Sequence, residues 1–225
     1  MGIIGSAFLG FNRVLGAGDN RPGYDFPTVI KDFTFFYSAY ASEPFLDWSY
    51  NNNTGTQNGS IGYTGVVGGS SYWTFDANAY VETGVTPPTG NYTFFTIQRS
   101  IADPVSPVVL NAYDGANDQI RFLDDRTPSV EVDAKTLTAT TTFPTSQDYM
   151  LMVVSDNVGG TLTLYVNNVS EATSTSEDLN ITDTITLGTP TTDQFGLSAA
   201  GMLPRAITTS ERNELYNYFN NIYSF

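Results

Sequence analysis

The stretch YMLMVVSDNVGGTLTLYVNNV, residues Tyr149–Val169, contains two apolar, β-rich runs separated by a polar turn. The runs are Met150–Val154 and Leu162–Val166, and the residues between them include Asp, Asn and two glycines, which tolerate positive φ. In the second run, leucines and valine alternate with threonines and tyrosine, so one face of the strand is expected to meet a core. The stretch therefore predicts an antiparallel hairpin.

The chain after the hairpin shows weaker strand signals. It is expected to turn at Asn167 and Asn168 and to form a short strand that ends at Gly188. The segment Thr189–Ser198 has no strand period, which predicts irregular structure, and a glycine-led strand is expected over Gly201–Ala206.

A helix is predicted at the C-terminal end, over Thr209–Asn220. Thr208 and Glu211 have the T-x-x-E spacing of a capping box, in which each residue bonds the backbone amide of the other. Leu215 and Phe219 then repeat at helical spacing, which gives this helix one apolar face.

The combined order of these motifs resembles a known family. The segments are Leu162–Asn167 (L-x-L-Y-V-N), Ile185–Gly188 (I-x-L-G), the glycine-led strand and the T-x-x-E-x-x-x-L-Y run. This order is similar to that of the concanavalin A-like, laminin G-type jelly rolls, although Asn168 replaces the usual turn glycine. The resemblance covers Ser70–Phe219 and implies a two-sheet sandwich of the kind found in phage virion proteins, as capsid decoration or tail components.

Short β-rich runs elsewhere in the chain favour a sandwich over parallel βαβ units. They are Phe33–Tyr40, Ser71–Phe75, Tyr92–Arg99, Val108–Tyr113, Gln119–Leu123, Val130–Val132 and Leu137–Phe143. The predicted fold class is all-β: a two-sheet antiparallel jelly-roll sandwich with one short C-terminal helix and an extended N-terminal arm. Residues 1–27 are assigned to the arm and its linker, and residues 28–225 to a laminin G-like jelly-roll domain.

The composition excludes several function classes. The formal net charge is −14 and the only lysines are Lys31 and Lys135, which disfavours nucleic acid as a partner. Cysteine and histidine are absent, which removes disulfides, thiolate chemistry and the commonest general base. The sequence has no apolar run of eighteen residues, so no membrane helix and no membrane partner are expected. No basic segment precedes the short apolar start, so no signal peptide is expected.

Residues 1–18 are apolar and punctuated by glycine. Such a segment needs a surface to cover its side chains, either on its own domain or on a neighbouring subunit. The predicted assembly interface consists of Ile3, Ile4, Phe8, Leu9, Phe11, Val14 and Leu15.

A glucanase-like pattern occurs at Glu131-Val132-Asp133. Jelly-roll glucanases similar to this family carry E-x-D-x-x-E on one strand, with the second Glu as general acid. Thr136 stands at that position here, and retaining hydrolysis needs both carboxylates. No enzymatic activity is therefore predicted, and a solvated strand face is the alternative reading of the pattern.

Two further groups of residues are candidates for ligands. Clustered oxygen donors predict an optional calcium site, although turn chemistry also explains them; no cofactor is required. These donors are Asp114, Asn117, Asp118 and Asp124. Aromatic and amide side chains predict a glycan platform, with core packing as the alternative. They are Trp48, Tyr50, Asn52 and Trp73.

Three functions remain open at this level. The first is a non-enzymatic structural or adhesion subunit of a virus particle, located in the virion and assembled in the host cytoplasm, which docks through its arm. Its partners would be other virion proteins, copies of itself and surface glycans. The second is a free-standing carbohydrate-binding lectin, and the third, a glycoside hydrolase or lyase, is disfavoured by Thr136.

Overall fold

The computed structural model describes residues 26–39, 45–65, 70–99, 107–114, 118–123, 127–176, 178–189 and 194–225. These contain a 3-10 turn (Thr28–Asp32), strands and one helix, α1 (Thr209–Tyr223). The strands are β1 (Phe35–Ser38), β2 (Thr56–Asn58), β3 (Ile61–Gly65), β4 (Ser71–Phe75), β5 (Tyr80–Glu82), β6 (Tyr92–Arg99), β7 (Val108–Asp114), β8 (Asp118–Leu123), β9 (Ser129–Val132), β10 (Lys135–Thr138), β11 (Asp148–Asp156), β12 (Thr161–Val166), β13 (Val169–Thr175), β14 (Thr186–Leu187) and β15 (Phe195–Leu203).

The strands form two antiparallel sheets, as the sequence predicts. An eight-stranded sheet, here called the inner sheet, has the order β13-β12-β11-β6-β15-β4-β3, and β1 also pairs with β15. A seven-stranded sheet, the outer sheet, has the order β10-β9-β8-β7-β14-β5-β2. No helix among the described residues has the length and apolar character needed to cross a membrane.

The inner sheet is covered on both faces, which gives the molecule three layers. Its central strands β6, β11 and β15 are buried along almost their whole length. Successive side chains along these strands point to opposite faces and belong to two separate cores. For example, Phe94 packs between the sheets, and Phe95 packs beneath α1 with Leu215 and Phe219. The outer sheet contributes one face to the core between the sheets and leaves its other face without a covering layer in the described structure.

The predicted hairpin is confirmed, because β11 pairs with β12 across the Asp-Asn-Val-Gly-Gly turn. Asp156 accepts the amides of Val158 and Gly159, both at 3.1 Å, and Gly160 has a φ of +65°. Asn167 and Asn168 have φ values of +45° and +67°, a left-handed conformation that Asn tolerates better than most residues.

The Asn-Asn turn leads directly into β13, a strand that the sequence reasoning missed. Its residues are small and polar and lie at the edge of the inner sheet, where no apolar alternation is required.

The predicted helix is confirmed and runs three residues beyond its expected end at Asn220. The capping box is present: Glu211 accepts the Thr208 amide at 2.9 Å, and the Thr208 hydroxyl accepts the Glu211 amide at 3.3 Å. Arg205 holds the same carboxylate with two hydrogen bonds, of 2.9 and 2.7 Å.

Three strand assignments are corrected. β15 covers Phe195–Leu203 rather than Gly201–Ala206, so the end of the segment expected to be irregular is a central strand. The stretch Trp48–Gly62, whose Asn, Thr, Gly and Ser residues predict a loop, contains β2 and the start of β3. The strand expected over Leu137–Phe143 is instead β10, which ends at Thr138.

Candidate functional site

Both tryptophans of the predicted glycan platform lie in the interior. Trp73 is 2% exposed and packs against Phe45, with ring centroids 4.4 Å apart, and Trp48 is 6% exposed and packs against Phe26 at 5.7 Å. Their faces are therefore occupied by the protein's own aromatic rings. The platform prediction is corrected for these two residues, and core packing, the alternative reading, is what the structure shows.

The loop after Trp48 is held against β1 by the buried carboxylate of Asp47. This carboxylate accepts the amides of Phe36 (2.9 Å), Ser49 (2.8 Å) and Asn53 (2.7 Å), and also the Ser49 hydroxyl. Tyr37 donates its hydroxyl to the Asn53 carbonyl. Burial, and secondarily the Asp47 charge, raise the pKa of Tyr37 far above its ordinary value, so it remains a neutral donor.

Tyr50 and Asn52 lie at the outside of this loop. The Tyr50 ring is 52% exposed with the Lys31 ammonium 5.5 Å from its centroid, and Asn52 is exposed with a φ of +56°. Side chains from the same loop bond the backbone of the domain, for example Asn51 Nδ2 to the Phe33 carbonyl at 2.6 Å. The loop has a structural role, and glycan binding by Tyr50 and Asn52 stays a prediction.

The glucanase-like stretch is a hairpin rather than one strand. Glu131 lies on β9, Asp133 lies in the turn with a φ of +52°, and Thr136 lies opposite Glu131 on β10. The two carboxylates are therefore not aligned by strand alternation. Val130 and Val132 point into the core, as the alternative reading expects.

The remaining predicted site residues are described only in part. Asp114 and Asp118 pair at the ends of β7 and β8, but their side chains, and all of Asn117 and Asp124, lie outside the described structure. Within the described residues no cluster of three or more acidic side chains could hold a metal ion. Calcium binding stays a prediction, as does the assembly interface, since residues 1–25 also lie outside the described ranges.

A row of polar side chains crosses the uncovered face of the outer sheet. The strand registers place one residue from each of the seven strands side by side. In spatial order these residues, here called the polar row, are Thr56, Glu82, Thr186, Asn111, Arg121, Glu131 and Thr136. At about 4.8 Å per strand spacing the row is roughly 29 Å long.

The row exists because each strand alternates. In β8 and β9, Ile120, Phe122, Val130 and Val132 are fully buried, which turns Arg121 and Glu131 to the opposite face. The four central members, from Thr186 to Glu131, are half-buried, whereas Thr56, Glu82 and Thr136 at the ends are exposed. The centre of the row is therefore less exposed than its two ends.

The centre of the row contains an ion pair and amide groups. Arg121 Nη1 lies 3.0 Å from Glu131 Oε2, and Gln119 Nε2 lies 3.4 Å from the same oxygen. Asn111 and Glu82 form no side-chain hydrogen bond within the part of the chain that the structure describes. Tyr113, 46% exposed, lies two residues from Asn111 on the same face and supplies an aromatic ring beside the row.

This arrangement suits a ligand that offers many hydroxyl groups and apolar ring faces. Arginine and amide groups donate to hydroxyl oxygens, carboxylates accept from hydroxyl protons, and an aromatic ring covers apolar C–H surface. Sequence reasoning missed the row because neighbouring members such as Glu82 and Thr186 are far apart in the sequence and only the strand register brings them together. The signal available was the alternation within each strand, which gives the face but not the neighbours.

No family model and no curated protein matches the sequence. Domain 4 of AbnA, an extracellular GH43 arabinanase from Geobacillus stearothermophilus solved in complex with arabinotriose, has a TM-score of 0.63 at 16% identity. The match covers 82% of this chain and 98% of that domain.

Binding domains of botulinum neurotoxins also share the fold. The serotype G domain has a TM-score of 0.64 at 11% identity, over 84% of this chain and 51% of that one. The DC domain in complex with SialylT has a TM-score of 0.66 at 8% identity, over 85% and 52%. This chain thus spans about half the length of the neurotoxin domains. Identities this low show the fold alone, a two-sheet jelly roll.

Proposed function

We propose that the chain is a non-enzymatic carbohydrate-binding module that holds its ligand along the polar row. The observation that carries this proposal is the continuous line of donors and acceptors across a sheet face that no described element covers, with the exposed Tyr113 ring beside it. The centre of the row is half-buried, so a ligand there would be contacted from several strands at once.

The solved structures with this fold support the proposal by analogy. The arabinanase domain was solved in complex with arabinotriose, and the neurotoxin DC binding domain, about half of which this chain matches, in complex with SialylT. Because one fold hosts many functions, the proposal rests on the chemistry of the polar row in addition to the fold.

The spacing of the carboxylates supports a non-enzymatic role. Glu82 and Glu131 are separated by four strand spacings, roughly 19 Å, whereas glycosidase carboxylate pairs lie about 5 to 10 Å apart. The chain also has no histidine to act as a general base.

The biological setting we propose is a virus particle, in which this chain is an adhesion subunit of the capsid or tail. The support is the apolar, glycine-rich composition of residues 1–18, suited to docking on a neighbour, and the occurrence of jelly rolls in viral capsid and lectin domains. The alternative is a free-standing lectin. Deleting residues 1–18 is expected to leave glycan binding unchanged and to abolish incorporation into the particle, whereas a free-standing lectin would show no assembly defect.

The test of glycan binding uses the full chain on an array of neutral and sialylated oligosaccharides that includes arabinotriose, followed by calorimetric titration of the strongest binder. Asn111→Ala and Arg121→Ala should each weaken binding by roughly tenfold or more, the loss of one or two hydrogen bonds to a polar ligand. Asn217→Ala, on α1, is the matched control and should bind normally. Absence of any glycan ligand, or binding unaffected by both row variants, would reject the proposal.

A further inference from the structure

One long segment of the chain carries no acidic or basic side chain. No Asp, Glu, Lys or Arg occurs from Trp48 to Phe75, although the chain as a whole contains 23 acidic and 9 basic residues. This segment includes β2, β3 and β4, so these three strands contain no charged side chain.

The neutral segment forms one edge of the sandwich. β2 is the end strand of the outer sheet and β3 is the end strand of the inner sheet, and only Gly59 and Ser60 separate them in the sequence. Four of the five residues of β3 are exposed, and the Tyr63 ring is 40% exposed. Within the described structure, β3 pairs on one side only, with β4.

The opposite edge of the sandwich is closed by charged side chains. Lys135 on β10 donates to the Thr175 carbonyl on β13 at 2.9 Å, which joins the end strands of the two sheets. Glu171 on β13 accepts the amides of Thr140 and Thr141 at 2.6 and 2.8 Å. Charged residues at an edge strand are a common protection against pairing with another chain, and β3 lacks this protection.

We propose that the β3 edge is an interaction surface for a second copy of this chain, which pairs β3 with β3 antiparallel across a two-fold axis. The argument for a second copy is electrostatic. Two molecules of net charge −14 repel each other over most of their surfaces, and the neutral edge is where they can approach without bringing carboxylates together. A two-fold arrangement presents the same neutral strand from both partners.

The composition of β3 suits close pairing. Gly62 and Gly65 carry no side chain that would keep another strand away, and Tyr63 supplies apolar area next to them. A Cβ placed on Gly62 would meet only the Thr74 Cβ at 3.9 Å, so the sheet face at this residue is open. This proposal does not depend on glycan binding, because the polar row lies on a sheet face and β3 lies at an edge.

The experiment is sedimentation velocity of the full chain over a concentration series. The wild-type chain should form a dimer. Tyr63→Glu and Thr64→Glu each place two like charges near the axis and should raise the dimer dissociation constant by roughly tenfold or more. Thr173→Glu adds the same charge to the exposed, opposite edge strand β13 and should leave the dimer unchanged.

Two further measurements distinguish misfolding from charge repulsion as the cause of a weaker dimer. Far-UV circular dichroism and Tm of both β3 variants should match the wild type, and high salt should restore part of their dimerisation. A wild-type chain that stays monomeric at every concentration would overturn the proposal. A dimer that resists both substitutions would overturn it too, as would one that requires residues 1–18 instead of β3.

Discussion

The two sheets differ in what lies against their second face. On the inner sheet, Phe95 and Ile97 of β6 point away from the sandwich and are buried beneath the helix and the segment around Phe33 and Phe36. On the outer sheet, the corresponding positions are Asn111, Arg121 and Glu131, which face solvent. The two sheets are thus divided: the inner sheet is packed on both faces, and the outer sheet has one packed face and one face on which we propose that a ligand binds.

This division between the sheets predicts the largest loss of stability for a substitution at Phe95, which is fully buried beneath α1. Its ring centroid lies 5.5 Å from that of Phe33, 6.0 Å from Phe36 and 6.1 Å from Phe219. Phe95→Ala should lower the free energy of unfolding by about 3 to 5 kcal/mol, since it removes apolar burial and leaves a cavity. Urea denaturation monitored by circular dichroism measures the change.

The matched control is Tyr113→Ala on the outer sheet. Its ring is 46% exposed, so the change in the free energy of unfolding should stay within about 0.5 kcal/mol. Equal destabilisation by the two substitutions would contradict the division between the sheets.

The second prediction concerns pH and the start of the covering helix. Hydrogen bonds from Arg205, and then the Thr208 cap, lower the pKa of Glu211 from 4.5 to about 2 in the folded state. A lowered folded-state pKa means that this stabilisation is complete above the unfolded value and is lost as the pH falls through about 2. Glu211→Gln should therefore cost about 1 kcal/mol at pH 7, the size of a helix cap, and progressively less between about pH 5 and pH 2.

Urea denaturation of wild type and variant at several pH values checks this dependence. Glu82→Gln on the outer sheet is the control at pH 7, because this exposed carboxylate has no side-chain partner in the described structure; its effect on the free energy of unfolding should be close to zero. A cost of Glu211→Gln that stays constant down to pH 2 would be inconsistent with the lowered pKa.

Local features of the fold could be predicted from the sequence. The β11–β12 turn and the capping box each involve residues a few positions apart, so their chemistry is visible in one window. β15 was misplaced because its small residues look irregular. They are required by packing: a Cβ on Gly201 would lie 2.7 Å from the Phe95 ring and 2.8 Å from the Phe33 ring.

The candidate site could not be predicted from the sequence, because its residues come together only in the folded sheet. The polar row joins Asn111 to Thr186 and Thr186 to Glu82, pairs that depend on which strands become neighbours and in which register. Alternation within a strand gives only the face of each residue. The large aromatic side chains of Trp48 and Trp73 suit both a sugar platform and a core. Only the packing of the sandwich decides between these two uses.

The smallest effect on stability is expected at Glu131, in the centre of the polar row. Its carboxylate pairs with Arg121 at 3.0 Å, with the two side chains 25% and 35% exposed, and such surface pairs contribute about 0.5 kcal/mol or less. Glu131→Gln keeps the shape and one acceptor oxygen, so unfolding should be almost unchanged. Binding of the row's glycan ligand should weaken by roughly tenfold, because a charged acceptor of sugar hydroxyls is lost.

The same substitution separates binding from catalysis. Neither the wild type nor Glu131→Gln should hydrolyse a β-glucan, since the nearest carboxylate in the row is roughly 19 Å away and Asp133 lies in a turn. Asn217→Ala, on α1 and away from the outer sheet, serves as the control for binding. Hydrolysis by the wild type that Glu131→Gln abolishes would make the outer face an active site, whereas unchanged glycan affinity would remove Glu131 from the binding surface.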